Sequence, residues 1–486
     1  MILHVNNVQP GRAARVRSVL STLVSVAGEG KVPAPVLENL SVHLDWVQYK
    51  TNFREAVTLR RAAKGGELLP WIELGIDLRQ VQEETLKEEI VQVLNDASSA
   101  AGGSAGSQKR VYLEPFKPMR SSVIWDFNRL FWQHLPLWEK TTGHGFENAL
   151  PSGQSDANHP AAVKDSVADF WTLLKDMDNE KQLPPEIFVM EIGVGTGQRA
   201  ALWLDCFRVL DRERGTQYYP RIRFLLADYS ISILDTAQPT LRNHRELASF
   251  LAIDALDPFK SLSFLRYKVL YIHLTNVYDN LPTDEIVIRD GKPYLVEVRA
   301  YVSSVAAARL SEKFAVAPDE FGRTVSRLVD VGPQHLGLST PEQNVAFWQA
   351  VWDAVRLEER FVFLEGITDV PLPASIRPSQ VEHFIATAPA NQRFHLSSGV
   401  LESFVNTIPL LHPRGRLEVQ DIFVTGQSDY MKIFRGPGKM DGSVVNWVNG
   451  ALLAEVGEQA GYDVHFAPFH YREGSRTSIL YTTHRE

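Results

Sequence analysis

Between residues 185 and 301 short apolar runs alternate with segments of helical spacing, and this pattern narrows the fold more than any other feature of the chain. "EIFVMEI", "RIRFLLADYS", "LASFLAID" and "YKVLYIHLTN" read as buried strands; "GQRAALWLDCFRVLDRE" and "SILDTAQPTLRN" read as helices between them. Strands that are apolar throughout are covered on both sides, so the alternation predicts a mostly parallel sheet with helices on both faces. Ligands of such sheets bind at the carboxyl ends of the strands. The first strand runs straight into "EIGVGTGQ", with Gly193, Gly195 and Gly197 at alternate positions. Residues without a Cβ let the chain turn sharply and let a ligand touch the backbone. The helix that opens at Gln198 aims its free N–H groups at the same place.

Three classes of ligand use a glycine turn of this kind. A phosphate loop needs Lys-Ser or Lys-Thr after its last glycine, and neither follows here. A dinucleotide fingerprint needs a third glycine where this chain has Gln198, and an acid about 20 residues on. The acid that ends the second strand here is the more distant Asp228. The residues instead resemble the acid-x-G-x-G-x-G motif of class I S-adenosylmethionine-dependent methyltransferases, matched by Glu191, Gly193, Gly195 and Gly197. The resemblance implies a Rossmann-like α/β fold with a seven-stranded mostly parallel sheet, and S-adenosylmethionine as cofactor. It implies that Asp228 accepts from the ribose hydroxyls, with Tyr229 beside it. Asp254 and its small neighbour Ala255 would meet the adenine, Glu191 the methionine end, and Thr275 the fourth strand end. Asn276, Tyr278 and Asp279 are the candidates to orient a substrate, though an Asx turn ahead of Pro282 explains Asp279 or Asn280 equally well. Glu191 could equally pair with an arginine, Asp254 could open a turn, and His273, inside the fourth strand, reads as a core histidine. Methyl transfer is an in-line displacement that demands alignment, so no metal or covalent nucleophile is expected.

A closer likeness is to the MidA-like methyltransferases, carried by "EIGVGTG", by "VYDNLP" followed by "GKPYLVEV", and by "PGKMDGSVVNWVNGALLAEVGEQAGYDV" with Pro437, Gly438 and Asp441. Where that family reads N-E-F-F-D-A-L-P, this chain has Thr275, Asn276, Val277, Tyr278, Asp279, Asn280, Leu281 and Pro282. The family's glutamate is therefore Asn276. The implied acceptor is a small molecule or a protein side chain, left unidentified.

The remainder divides around this unit. Residues 1–110 read as a helical region, with Leu86, Ile90, Val91 and Val93 on or near one helix face, ending in the Gly/Ser-rich stretch 97–109. Residues 111–184 read as a helical, aromatic lead-in able to cover the glycine turn, with Trp125, Phe127, Phe131, Trp132 and Trp138. The methyltransferase unit is assigned to 185–303 and 396–486, and 304–395 to a helical insertion whose Phe347, Trp348 and Trp352 suit a core or a subunit contact. Asp290-Gly291 between two alternating runs signals a hairpin. Toward the end come a helix near 397–411, a strand "RLEVQDIFV", a helix, and two strands. The last of these should run antiparallel between its neighbours, as in class I methyltransferases.

A net charge of -8 argues against a nucleic-acid binder. The single cysteine, Cys206, excludes an internal disulfide and suits a reducing, cytoplasmic setting. No run approaches 18 apolar residues, so no membrane span is expected. The first 28 residues carry Arg12, Arg15 and Arg17 without an acid, faintly like a transit peptide, and are read as folded protein. A homodimer is compatible with all of this. A non-catalytic assembly protein that keeps the same fold is the rival, and a nicotinamide-dependent oxidoreductase a third reading.

Overall fold

The computed structural model describes residues 1–5, 12–99, 110–150, 155–431 and 436–485. Most of the Gly/Ser-rich stretch 97–109 lies outside the described residues; its first three close the helix Leu86–Ser99.

The strands, in chain order, begin with β1 (Ile2–Val5), β2 (Leu40–Asp45), β3 (Val57–Lys64), β4 (Glu67–Asp77), β5 (Arg110–Tyr112) and β6 (Lys117–Pro118). The central part holds β7 (Ile187–Ile192), β8 (Ile222–Asp228), β9 (Ala248–Ala252), β10 (Val269–Thr275), β11 (Glu285–Arg289), β12 (Lys292–Ser303), β13 (Arg356–Phe363) and β14 (Arg393–His395). The last are β15 (Leu411–Asp421), the short β16 (Phe423–Val424), β17 (Gly438–Met440), β18 (Ser443–Val445) and β19 (Val448–Asn449), then β20 (Tyr462–Pro468) and β21 (Ser478–His484).

Seven of these form one sheet in the order β20-β21-β15-β10-β7-β8-β9. From β15 to β9 every pairing is parallel, while β21 runs antiparallel to both β15 and β20. The mostly parallel sheet expected from the alternation is therefore present, with seven strands and with β21 inserted between β15 and β20. One face is covered by the helices Pro160–Asn179 and Gln198–Glu213, which bury Phe170, Trp203 and Phe207. The other is covered by Ser398–Thr407 and Gly450–Gln459, through Leu401, Phe404, Leu452 and Val456.

The flanking regions differ from expectation. Residues 1–99 are not simply helical: the helices Ala13–Gly28 and Leu86–Ser99 pack against β2, β3 and β4. Leu86, Ile90 and Leu94 are buried along the second helix as its spacing predicts. The spacing does not announce these strands because charged residues occupy inward positions, Arg60 and Glu73 being almost fully buried, which breaks the apolar alternation that identifies a strand. A second sheet runs β1-β2-β4-β3-β13-β12-β11-β14, with β5 and β6 also on β12, ten strands in all. It takes β11 and β12 away from the methyltransferase unit to which 185–303 was assigned, and it takes β13 and β14 from the stretch read as a helical insertion. The hairpin itself is present, turning at Asp290 (φ 50°) and Gly291 (φ 73°). Only 304–354 of the insertion is mainly helical, and its Phe347, Trp348 and Trp352 are core. Among the described residues no helix is long and apolar enough to cross a membrane.

Candidate active site

The parallel register brings the named residues to one end of the seven-stranded sheet. Glu191 stands beside His273, Asp228 beside Ala252, and Thr275 beside Gln420. The glycine turn is tied to this edge by Gly193 N–H donating to the Ala227 carbonyl at 2.8 Å. All three glycines have left-handed backbones, with φ of 78°, 52° and 75° at 193, 195 and 197. Their surroundings separate their roles. A Cβ on Gly193 would lie 2.4 Å from Cγ2 of Val277, and one on Gly197 would lie 2.8 Å from Cδ2 of Leu241. A Cβ on Gly195 would meet nothing within 4 Å. Gly193 and Gly197 thus let protein approach the turn, and Gly195 leaves room for something else.

These distances set an expectation. Gly193→Ala combines a left-handed backbone, costing about 1–2 kcal/mol, with an overlap that Val277→Ala in the same chain relieves. Denaturant midpoints should therefore fall in the single variant and recover in part in the double one. Equal midpoints for the two would show that Val277 moves freely.

Asp228 closes β8 with its side chain 8% exposed. Burial pushes its carboxyl up to about 6, against the N–H groups of Ser230 and Tyr229. Oδ1 accepts from Ser230 N at 2.9 Å, and no side chain among the described residues pairs with it. Tyr229 is half-buried, its hydroxyl donating to the Arg129 carbonyl at 3.3 Å. Asp254 is exposed and accepts from Leu256 N at 2.9 Å, which is the turn its sequence allowed, and Ala255 beside it is half-buried.

The fourth strand end is more crowded. Asn276 has φ 52° and donates its N–H to the Gln420 carbonyl at 3.0 Å. Its side chain is half-buried, as is that of Thr275. Tyr278 does not face the crevice: it is 1% exposed, inside the apolar cluster, with its hydroxyl against Ser403. Its position in the chain suggested a substrate contact, but the turn after Val277 sends the ring into the core. Asp279 is buried too, 4% exposed. Its carboxyl is raised well above the usual range by burial and by the facing carboxyl of Asp421, itself pushed up by burial to about 7. Two such groups cannot both ionise readily, so the pair keeps a proton near neutral pH. Oδ2 of Asp421 accepts from Tyr278 N (2.9 Å) and Asp279 N (3.2 Å), fixing the loop.

Glu191 is bound inside the protein. Arg199 Nη1 donates to its Oε2 at 3.0 Å and Nη2 to the Tyr271 hydroxyl at 2.9 Å. That hydroxyl also meets Ser166 (2.8 Å), Glu418 (3.1 Å) and His273 Nδ1 (3.2 Å), and His273 Nε2 reaches Thr275 Oγ1 at 2.7 Å. Burial holds His273 at about 4, so it is neutral; His273 and two arginines outweigh burial to hold Glu418 at about 2. Glu191 thus takes the arginine pairing that the sequence left open. Neither Arg199 nor Tyr271 carried a signal in the sequence. Asp421 did, since it ends "RLEVQD" as Asp228 ends "RIRFLLAD".

A roof lies over this end of the sheet. From the helix Val123–Gln133, Asn128 Nδ2 donates to the Asn280 carbonyl at 2.9 Å, Trp132 Nε1 donates to Asn280 Oδ1 at 3.1 Å, and the Gln133 carbonyl accepts from Ser232 at 2.9 Å. The helix Val123–Gln133 is thus tied to Asn280 and to Ser232, while Trp125, Phe127, Phe131 and Trp138 of the aromatic lead-in are buried in the core of the second sheet.

No protein-family model matches the chain. No curated protein matches it. Among solved structures it is similar to an uncharacterised protein from Burkholderia thailandensis, at 12% identity and a TM-score of 0.44, over 82% of this chain and 91% of that one. A Burkholderia thailandensis protein bound to S-adenosylhomocysteine is similar at the same identity and TM-score, over 82% and 92%. The carbon methyltransferase CurJ is similar at 12% identity and a TM-score of 0.29, over 74% and 70%. At such overlaps these likenesses say nothing about the chemistry of this chain.

Proposed function

We propose that the chain is an S-adenosylmethionine-dependent methyltransferase of the class I type, most like the MidA-like group. The observation that carries this reading is Asp228, a buried carboxylate at the end of β8 with no side-chain partner among the described residues, beside a glycine turn that is open at Gly195. Acids rarely end a buried strand without a partner, so a group with paired donors is the fitting occupant. A ribose diol offers two. The strand order, with β21 antiparallel between β15 and β20, is the order that class I methyltransferases share.

When bound, the cofactor supplies an activated methyl group. Asp228 would accept from its ribose, the N–H groups at the start of Gln198–Glu213 and the bare backbone of Gly195 would receive its middle, and Asp254 with Ala255 would meet the base. Asn276 is the polar side chain left to orient an acceptor, a small molecule or a protein side chain. The Asp279–Asp421 pair and the Arg199–Tyr271 network position the loop and the strand ends without touching either.

A second reading, a non-catalytic assembly protein, is favoured by one observation. Val277 lies on Gly193 and the helix Val123–Gln133 is fastened over the crevice, which restricts entry.

Amide hydrogen exchange with and without S-adenosylhomocysteine tests the first reading. Protection should gather at 193–200, 228–232 and 254–257, and exchange in 123–133 should change as the roof adjusts. Protection confined to other segments, or with NAD in place of S-adenosylhomocysteine, would contradict it.

A further inference from the structure

The ten-stranded sheet holds a second polar site that the methyl-transfer reading does not use. It folds back on itself, because Arg289 Nε of β11 reaches Glu73 of β4 at 2.7 Å although three strands stand between them. In a flat sheet those strands would be about 19 Å apart. The enclosed side carries a charge network. Glu73 accepts from Arg60 as well as Arg289, and Glu359 accepts from Arg54, Arg60 and Arg393. Arg393 also pairs with Glu285, which meets His395 Nε2 at 3.1 Å. Four guanidinium groups face three glutamates. Asp45 is raised above the usual carboxylate range by burial, and His43, held by burial at about 3, is neutral.

Beside this network lies a small pocket open to solvent, walled by Arg60, Arg289, Arg393, His395, Gln392 and Asn391, with the acids Asp45 and Glu285 beside them. Two atoms in its wall have no partner among the described residues. His395 Nδ1 and Gln392 Oε1 are buried in residues that are 2% and 1% exposed. Arg289 spends Nε on Glu73 and Nη1 on the Ile288 carbonyl, which leaves Nη2 as a further donor. Unmatched buried polar atoms are costly unless something completes them.

We propose that this cavity binds a small hydroxylated oxyanion, a hydroxycarboxylate or a hydrogen phosphate. The oxyanion accepts from Arg289, and from His395 Nδ1 in the protonated form of a ring whose Nε2 already meets Glu285, and its hydroxyl donates to Gln392 Oε1. A purely cationic ligand would meet Arg60, Arg289 and Arg393 in the wall, and an apolar one would leave both orphan atoms unpaired. The site is separate in sequence and sheet from the glycine turn, and its occupancy does not depend on methyl transfer.

Calorimetric titrations of the full chain with malate, succinate and inorganic phosphate, at ionic strength fixed with sodium chloride, test the proposal. Malate or phosphate should saturate at or below about millimolar, with malate about tenfold tighter than succinate, which lacks the hydroxyl. Gln392→Glu should abolish the binding. Should that variant not fold, Asn391→Asp at the half-buried rim, whose φ of 61° suits aspartate, should weaken it several-fold. S-adenosylhomocysteine binding should be unchanged in either variant. Heats no different from those of chloride, succinate equal to malate, or binding indifferent to the variant that folds, would overturn the assignment.

Discussion

Asp228→Asn is expected to lose S-adenosylhomocysteine binding and to gain stability in one step. The carboxyl titrates near 3.8 in an unfolded chain and at about 6 here, a difference equivalent to about 3 kcal/mol. A raised carboxyl pKa means that the folded protein holds the proton more tightly than the unfolded one. The charged form is therefore penalised, with the penalty absent below pH 3.8 and complete above about 6. Asparagine keeps the acceptor for Ser230 N and carries no charge. At pH 7.5 the variant should be more stable by up to about 3 kcal/mol, and the gain should vanish toward pH 4. The same change removes a charged acceptor worth about 1.5–3 kcal/mol per hydrogen bond, so affinity should fall at least tenfold, or about 1.4 kcal/mol. Wild-type affinity should itself fall as the pH drops through about 6, and the variant should lack that dependence. A structural aspartate would behave oppositely: its replacement would lower stability. Denaturation midpoints and titrations at pH 7.5 and 5 distinguish the two.

Glu359→Gln should be among the most destabilising single changes in the chain. Its carboxylate accepts from Arg54 at 2.9 Å, Arg60 at 2.6 Å and Arg393 at 2.8 Å, and it is held well below the usual range because these arginines overcome the cost of burial. Breaking a buried ion pair by removing one partner costs about 3–5 kcal/mol, since the remaining charges stay buried. Here three guanidinium groups lose a shared counter-charge. The group's pKa is depressed in the fold, so its contribution is complete above its unfolded value near 4.5 and is lost only in stronger acid. The loss in Glu359→Gln should thus be flat between pH 6 and 8. A change below about 1 kcal/mol would show that water reaches these arginines.

These two carboxylates also mark what could be read in the chain and what could not. Asp228 is legible because it ends the apolar run that follows the glycine turn and its helix, and local patterns of that kind survive in a parallel sheet whose strands are buried on both faces. The helix starting at Gln198 is legible for the same reason and the hairpin from its Asp290-Gly291 turn, while the inserted antiparallel strand is an expectation of the resemblance to class I methyltransferases. Glu359, Arg60 and Glu73 are not legible: each is a charge in a strand, and only partners from distant parts of the chain make its burial tolerable. That is why residues 1–99 read as helical and why β13 and β14 are not announced; β11 and β12 are legible as a hairpin, but not the sheet they join. Tyr278 and Asp279, candidates to orient a substrate, are buried for a smaller reason. A single turn at Asn276, in a left-handed conformation that no spacing announces, carries both side chains inward. Glu191 was ambiguous in the sequence because its partner, Arg199, stands on the next element.

Calorimetric titration of the purified chain with S-adenosylmethionine, S-adenosylhomocysteine and NAD at pH 7.5 tests the central claim most directly. Micromolar binding of the first two, about -8 kcal/mol, with none for NAD, is the predicted result. Protein shown to be folded and free of carried-over ligand that binds neither adenosyl compound would contradict the methyltransferase reading and leave the assembly role.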